Sequence, residues 1–378
     1  MLRYSDMQKS FIFLVVLIGF VSVIDASVPG EWSTFRGNQA QTGVTDASLP
    51  EQMQPLWTYQ LDAGFESTAA ISGGTVFIGG LDGTFLALDL ETGNLNWKYQ
   101  AAGEIKSSPA VQNSIVLFGD ESGLFHALDA TSGEKKWTFQ AEAGISGSAN
   151  FYKDKVVVGS YDQRLYGLSV ADGSVAWKVE TDGYIHGTPA IHNNDAIVTG
   201  CDGFLRVIDI NEGVEKTRIT LGGYVGASPA LLGDSVYVGT FTNQVMAIDI
   251  KTQQILWKYE NPDAHFPFYS SAAVTNELVV LGGRDKLLHA LDPVTGKVRW
   301  TFPAKSKIDS SPVIAGNRIY FGTTGGQIYA LDRTSGNVTW QYDAGEAVVS
   351  SPAIVTGKLV IATKGGILYC FGIKDRQS

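Results

Sequence analysis

An eleven-residue pattern that recurs along the chain constrains the fold more than any other feature of the sequence. Its first copy, ALDLETGNLNW, runs from Ala87 to Trp97, and aligned copies follow at offsets of 40, 40, 40, 40, 43 and 40 residues. The later copies are ALDATSGEKKW from Ala127, GLSVADGSVAW from Gly167, VIDINEGVEKT from Val207, AIDIKTQQILW from Ala247, ALDPVTGKVRW from Ala290 and ALDRTSGNVTW from Ala330. A fixed period of this length predicts a repeat architecture, in which each unit buries its apolar faces against its neighbours.

One repeat, residues 67–101, contains four short β-rich runs separated by turn residues. The runs are STAAI, TVFIGG, TFLALDL and NLNWKYQA, and the turns contain SGG, LDG and ETG. Gly and Asp at these places are typical of tight hairpins, and no helical period is sustained. Each repeat therefore predicts a four-stranded antiparallel blade, with strands labelled A to D in chain order. Eight strand-A segments begin at Ser67, Ser107, Gly147, Gly187, Ala227, Ser270, Ser310 and Ser350.

The two ends of the repeated region predict how the blades close into a ring. The eighth repeat stops after its strand C, at Gly372, and so lacks an outer strand of its own. The segment PLWTYQL, residues 55–61, carries Trp57 in step with Trp97 at an offset of 40 residues. Stacking the blades in a closed ring hides their faces and protects their edges.

We therefore predict an all-β fold, an eight-bladed β-propeller of four-stranded antiparallel blades closed by the N-terminal strand 55–61. The propeller is expected to span 55–373 as a single domain, followed by a tail, 374–378. An open β-solenoid is the alternative architecture, but it would leave the strand 55–61 unexplained and its end faces exposed.

The tryptophans of the repeat are interpreted as structural groups that join blades. An indole on outer strand D can lie close to a small residue on strand C, and its N–H needs an acceptor. Two copies depart from the pattern, since Thr217 replaces the Trp of blade 4 and Gln253 replaces the turn Gly of blade 5. The predicted docking residues are Trp57, Trp97, Trp137, Trp177, Trp257, Trp300 and Trp340.

The pattern A-x-D-x-x-T-G-x-x-x-W resembles the tryptophan-docking motif of the pyrroloquinoline-quinone (PQQ) propeller repeat. The stretch EWSTFRGNQAQTGVT, residues 31–45, is similar to the lead-in of exported BamB-like repeat proteins. The resemblance covers about Trp32 to Gly372 and implies the propeller fold. It extends to two kinds of protein, the quinoprotein alcohol dehydrogenases and the BamB-like scaffolds of envelope assembly, so the fold alone does not decide between them.

The N-terminus is interpreted as a targeting segment followed by an extended lead-in, 27–54. Arg3 and Lys9 precede a 14-residue apolar run, 11–24, that ends near Ala26. Such a run suits a signal peptide, here 1–26, and is short for a membrane span. We expect export to the periplasm or the outside of the cell. The first cysteine is Cys201, so we expect no lipid anchor on a cysteine after this run.

Charge and motif content exclude several classes of chemistry. The net charge of −10 and the lack of a Lys or Arg run argue against nucleic-acid binding. The five histidines form no metal-ligand spacing, and no calcium loop, phosphate loop or nucleophile elbow appears. The quinoproteins to which the resemblance points use calcium and a disulfide between neighbouring cysteines, whereas Cys201 and Cys370 are 169 positions apart. We predict no catalytic residues, no metal site and no cofactor, with PQQ and calcium kept as the alternative.

A ring of residues at the axis is the best candidate site. The residue before each strand A should point toward the axis on the face formed by the D–A and B–C loops, which we call the axial face. This ring comprises Glu66, Lys106, Ser146, His186, Gly226, Tyr269, Asp309 and Val349. Residues expected at the B–C tips of the same face are Asp82, Asp162, Asp202, Arg284, Asp285 and Lys364. A solvated channel mouth is the alternative interpretation.

The 43-residue interval places an enlarged loop, 261–271, on or near the axial face. It carries His265, Phe266 and Phe268 beside Tyr269, and exposed aromatic groups beside a charged mouth favour protein binding. The two phenylalanines could instead fold inward and cap blade 6. The sequence thus predicts an exported, non-catalytic, monomeric scaffold that binds a protein or peptide. The alternatives are a PQQ-dependent oxidoreductase and a ligand-sensing propeller of an envelope complex.

Overall fold

Eight four-stranded β-sheets surround one axis in the computed structural model, which describes residues 30–374. The first three blades consist of Ala70–Ser72, Thr75–Gly79, Thr84–Asp89 and Leu95–Gln100; Ala110–Gln112, Ile115–Gly119, Leu124–Asp129 and Lys135–Gln140; and Asn150–Tyr152, Lys155–Gly159, Arg164–Ser169 and Val175–Glu180. Blades 4 and 5 consist of Ala190–His192, Asp195–Thr199, Phe204–Asp209 and Val214–Thr220, and of Ala230–Leu232, Ser235–Gly239, Gln244–Asp249 and Gln254–Glu260.

The remaining blades continue the same meander. Blades 6 and 7 consist of Ala273–Val274, Val279–Gly282, Leu287–Leu291 and Val298–Pro303, and of Val313–Ala315, Arg318–Gly322, Gln327–Asp332 and Val338–Asp343. Blade 8 consists of Ala353–Val355, Lys358–Ala362 and Ile367–Gly372, with Gln54–Gln60 as its outer strand. The predicted eight-bladed β-propeller is confirmed. The signal-peptide prediction, 1–26, lies outside the described residues, and within 30–374 no helix has the length and apolar character needed to cross a membrane.

The N-terminal strand closes the ring in the predicted register. Gln54–Gln60 pairs antiparallel with Ile367–Gly372, and Trp57 lies opposite Cys370. The Trp57 indole N–H donates to the carbonyl of Leu90 in blade 1 at 2.9 Å, so the junction between the last and first blades resembles the others. Both cysteines are free, as expected of residues in separate blades. The ring is closed by main-chain pairing between the two ends of the propeller.

The docking tryptophans join each blade to the next. All seven indole N–H groups donate to a backbone carbonyl, five of them to a residue 33 positions along the chain. Six of the indoles, all but that of Trp340, also cover a turn glycine of the next blade; a Cβ on Gly133, for example, would lie 2.6 Å from the Trp97 ring. The turn glycine is therefore required both for its positive φ and for the close approach of the indole.

The two departures from the repeat meet at one junction. Gln253, which replaces the turn Gly of blade 5, donates its side-chain amide to the Thr217 hydroxyl at 3.3 Å. Thr217 occupies the place of the Trp in blade 4, opposite Val207 in the sheet. Without the indole there is room for a side chain at the turn. The Gln253 side chain occupies this space and is held there by its hydrogen bond to Thr217.

The C–D turns carry repeated aspartates whose acidity ties stability to pH. In blade 2 the hydrogen bonds from Lys136, Ser132 and Thr131 lower the pKa of Asp129 to about 2. The pKa is also lowered at the equivalent Asp89, Asp209, Asp249, Asp292 and Asp332. A carboxyl with a depressed pKa in the folded state stabilises it above its unfolded pKa, and that contribution disappears as the pH falls through the folded value.

We therefore expect the melting temperature to fall between about pH 4 and pH 2. Replacing Asp129 with Asn, together with Asp89, Asp249 and Asp332, should flatten this fall, since Asn accepts a hydrogen bond without titrating. Thermal melts of both proteins across this range check the expectation. An equally steep fall in the Asn variant would contradict it.

Residues 30–53, expected as an extended lead-in, cross the end of the channel opposite the axial face. We call residues 31–48 the channel plug. Trp32 exchanges two backbone hydrogen bonds with Ile71 of blade 1, and Ser33 accepts from blade 2. Gln39 bonds to blades 3 and 4, and Ala40, Thr42, Gly43 and Ser48 accept from blades 5, 6, 7 and 8 in turn. The segment therefore ties all eight blades together.

The centre of the plug is deeply buried. Trp32 and Arg36 are each 1% exposed, and Arg36 adopts a φ of 63°. Its Nη2 donates to the carbonyls of Ala272 and Pro312 at 2.9 and 2.7 Å, which binds the plug to blades 6 and 7. Burial lowers the pKa of Arg36 to about 9. Val44–Thr45 adds a parallel edge strand to Val313–Ala315 of blade 7.

Candidate functional site

The axial ring lines one cavity at the mouth of the channel. The cavity measures about 150 Å³, and Phe35 of the channel plug contributes to its lining. The structure places all eight residues of the predicted ring around it, namely Glu66, Lys106, Ser146, His186, Gly226, Tyr269, Asp309 and Val349. Residues separated by up to 283 positions thus lie together, because strand A begins at the same height in every blade.

A second ring, of hydroxyl side chains, lies directly below. At seven junctions the backbone N–H of one blade donates to the Ser or Thr hydroxyl of the next at 2.8–3.1 Å. Its members are Thr68, Ser108, Ser148, Thr188, Ser228, Ser271, Ser311 and Ser351. The Ser or Thr at this repeat position therefore links the inner strands of neighbouring blades by hydrogen bonds and gives the cavity a polar wall.

Most charges at the mouth are neutralised by close ion pairs. Lys106 lies 3.0 Å from Glu104 and 3.8 Å from Glu121, and Lys364 lies 2.5 Å from Glu66. Partial burial opposes the charge of Lys106, but the hydrogen bond to Glu104 and the neighbouring carboxylates raise its pKa. These pairs fix the side chains at the rim.

Arg284 and Asp309 form a bidentate ion pair on the axial face. Two guanidinium nitrogens of Arg284 donate to the two carboxylate oxygens of Asp309 at 2.8 and 2.9 Å. The same guanidinium lies 3.5 Å from the centre of the Tyr269 ring, which in turn stacks on Phe241 at 4.5 Å. The ion pair raises the pKa of Arg284, so its charge is permanent.

Four predicted members of the site are turned inward. The Asp285 side chain is 2% exposed and accepts from His289 at 2.9 Å, because an aspartate at a B–C tip turns back to cap its own strand C. Burial favours the neutral acid there, but the His289 hydrogen bond outweighs it and lowers the pKa of Asp285. Phe268 is fully buried against Gly239 and His289, so it caps blade 6 and does not belong to the surface. Asp162 and Asp202 are likewise turned inward, with side chains 3% and 4% exposed.

Four aromatic side chains form an arc on the axial face, which we call the aromatic arc. Tyr184, Tyr224, Phe266 and Tyr269 are 51%, 59%, 48% and 37% exposed, and within residues 30–374 no other Tyr, Phe or Trp is exposed to this degree. They lie in the D–A loops that follow blades 3, 4 and 5, so they are consecutive around the ring. His265 is also exposed beside Phe266 and lies 3.4 Å from the Asn243 amide.

Only part of this arc is predicted from the sequence. Phe266 and Tyr269 were marked by the enlarged loop, but Tyr184 and Tyr224 sit in loops of ordinary length. The available signal was an aromatic residue two positions before the axial-ring residue, a place occupied in other repeats by Gly64, Glu104 and Gly144. A groove of about 310 Å³ beside Tyr224, lined by Phe204 and Thr242, adds an apolar recess to the arc.

The comparisons with known proteins agree with this architecture. The family described as outer membrane protein assembly factor BamB matches residues 44–259 and 263–375. The chain belongs to the BamB family. A search of curated proteins finds no match.

Solved structures with the same fold include a BamB protein, an alcohol dehydrogenase and a designed protein. BamB from Moraxella catarrhalis aligns with a TM-score of 0.72 at 18% identity over 85% of this chain and 100% of that one. The quinohemoprotein alcohol dehydrogenase from Comamonas testosteroni aligns with a TM-score of 0.80 at 15% identity over 93% of this chain and 82% of that one. The computationally designed protein Ika8 aligns with a TM-score of 0.75 at 20% identity over 85% and 100%. At these identities the likeness shows the fold alone.

The cavity at the axis is small for an organic cofactor. A cavity of about 150 Å³ is smaller than the 300–1,000 Å³ typical of organic ligand sites. Within residues 30–374 no three His, Cys, Asp or Glu side chains are grouped as metal ligands, and Cys201 and Cys370 are unpaired. Water or a small polar molecule matches the size and the hydroxyl lining of the cavity better.

Proposed function

We propose that this BamB-family propeller is an exported, non-catalytic scaffold that binds a protein or peptide partner on its axial face. The observation that carries the proposal is the aromatic arc. Exposed Tyr and Phe are enriched in protein interfaces, where they supply large contact area at a small entropic cost. Within residues 30–374 every other aromatic side chain is less exposed, so four neighbouring exposed rings mark one face.

Two of the four rings of the arc, those of Tyr184 and Tyr269, are held by neighbouring side chains. Tyr161 packs against Tyr184 with ring centres 5.4 Å apart and the rings tilted by 34°, and it hydrogen-bonds to His186, while Tyr269 lies between Phe241 and Arg284. Preorganised side chains lose little freedom on binding, so more of their contact energy appears as affinity. The strands of the blades beneath the arc hold the loops that carry these rings in place.

Family membership supports the same proposal and its location. The matching family is named for outer membrane protein assembly, and the structure of a Moraxella catarrhalis member shares the fold. Together with the N-terminal apolar run, this supports an envelope protein that is exported to the periplasm or beyond. The proposal does not extend to a particular assembly machine.

Site-specific photo-crosslinking in the native cell tests the docking face. With p-benzoylphenylalanine at position 184, 224 or 266 we expect discrete protein adducts, since these side chains would lie in the interface. The matched control is position 294: Val294 is 77% exposed but lies in a C–D turn on the opposite face.

A second step ties the adducts to the arc. Replacing Tyr224 and Phe266 with Ser should reduce the adduct at position 184 about tenfold, the size expected when central aromatic contacts are removed. Equal adducts at 184 and 294, or none at any arc position, would refute the docking face. An unchanged yield in the Ser variant would show that the arc does not carry the binding.

A further inference from the structure

A cleft between blades 6 and 7 carries a concentration of positive charge next to the aromatic arc. We call it the basic cleft; its volume is about 390 Å³, and it is lined by Arg284, Lys286, Lys305, Ser306, Lys307, Asp309 and Thr324. Four cations and one carboxylate give it a net charge of +3 on a chain of net charge −10. Arg284 belongs to both features, because its guanidinium covers Tyr269.

The lysines of the basic cleft differ from the other cations of the axial face. Lys106 and Lys364 are each held by a carboxylate, whereas Lys286, Lys305 and Lys307 are exposed and, within residues 30–374, have no ion-pair partner. Asp309, the only acid in the cleft, is already bound by two nitrogens of Arg284. The field of the three lysines is therefore directed outward and available to a partner.

Two of these lysines occupy backbone positions that are unfavourable for a side chain. Lys286 has a φ of 71° and Lys305 a φ of 61°. At the position of Lys286 blades 1, 2, 4, 7 and 8 have Gly, while blades 3 and 5 have Gln163 and Asn243 at φ of 68° and 64°. At the position of Lys305 two other loops have Gly222 and Gly345 in the same conformation. Residues kept in strained conformations concentrate at functional sites. Strain at two separate loops, both lining one cleft and both giving a lysine, supports a role for their charge.

We propose that the basic cleft holds an acidic segment of the protein partner, whose neighbouring apolar residues lie on the aromatic arc. The inference rests on the proposed function and specifies the chemistry of the partner. A peptide satisfies both features at once, because carboxylates and aromatic or aliphatic side chains alternate along one strand. An extended polyanion such as nucleic acid would meet the net negative charge of the surrounding surface.

Binding of defined peptides to the purified protein tests the inference. The probe is a fluorescein-labelled peptide of alternating Glu and Phe, compared with its twin of Gln and Phe by fluorescence anisotropy. We expect the Glu peptide to bind more tightly than the Gln twin, and its affinity to fall between about 25 mM and 300 mM NaCl as the charges are screened. Equal binding of the two peptides would overturn the inference.

Charge reversal with a matched control localises the effect. Lys286→Glu, Lys305→Glu and Lys307→Glu together should weaken binding of the Glu peptide at least about tenfold. The control, Lys135→Glu, Lys178→Glu and Lys258→Glu, changes three exposed lysines of outer strands by the same net charge and should retain most of the affinity. Equal losses in the two proteins would show that only net charge matters and would refute a localised site.

A third variant guards against misfolding. Lys286→Gly with Lys305→Gly removes two charges and relieves both positive-φ positions, so it should melt at or above the wild-type temperature and yet bind the Glu peptide less tightly. Unchanged affinity in this variant would refute the inference. If the arc gives its crosslinked adducts while the Glu peptide fails to prefer the cleft, the acidic-segment inference fails and the docking face remains; absent arc adducts refute the docking face itself.

Discussion

A chain that begins at Gln52 instead of Gly30 is expected to lose more than about 5 kcal/mol of unfolding free energy, since removing one buried Trp alone costs about 3–5 kcal/mol. The deletion removes the buried side chains of Trp32 and Arg36. It also removes the carbonyl acceptors of six inner-strand N–H groups, one in each of six blades, which belong to buried residues. Buried N–H groups left without acceptors add further cost. The closing strand Gln54–Gln60 stays in place, so the loss reports on the plug itself.

Thermal melts and hydrogen exchange of the two chains provide the measurement. Besides a lower melting temperature, we expect faster exchange at Ile191, Leu231, Val274 and Ile314, because their amides donate to the plug. A synthetic peptide of residues 30–51 should restore part of the lost stability when added in excess. A truncated chain that melts like the longer one would show that the plug merely lies on the ring.

The repeat allowed the fold to be predicted because each period specifies the same local structure. The Gly and Asp of ALDLETG fix the C–D turn, and the spacing from Ala87 to Trp97 places the indole beside strand C. Eight such units with a strand left over at one end have few arrangements other than a closed ring. Trp57 in step with Trp97 was sufficient to identify that strand and its partner, which the pairing with Cys370 confirms.

The plug could not be derived in this way because it occurs once. Its backbone accepts from eight different blades without a period of its own, and Arg36 relies on two carbonyls more than 230 positions away. The direction in which a loop side chain points could not be predicted from the sequence either. Asp285 and Phe268 were predicted to lie on the axial face because of their positions in the repeat. In the structure the Asp285 carboxylate turns inward to His289, and the Phe268 ring packs on Gly239.

The candidate site also has a part that the repeat predicts and a part that it does not. The inner ring followed from register, since each member precedes a strand that begins at the same height. The aromatic arc and the basic cleft depend on loop conformations, such as the positive φ of Lys305, that no repeat position specifies. These loops differ from blade to blade, so they make the two sides of the otherwise symmetric ring different. An asymmetric partner can therefore bind in one orientation.

Replacing Trp177 with Ala is expected to lower the unfolding free energy by about 3–5 kcal/mol, the range for a buried Trp. Its side chain is 8% exposed, its indole N–H donates to the Ile210 carbonyl at 2.6 Å, and it covers Gly213, where a Cβ would lie 2.5 Å away. The control is Thr217→Ala at the same place in the next blade, which removes one exposed hydrogen bond to Gln253 and should cost less than about 1 kcal/mol. Denaturant unfolding of the two variants compares them directly. Similar losses would mean that blade junctions are held by their inner strands and that the indoles contribute little.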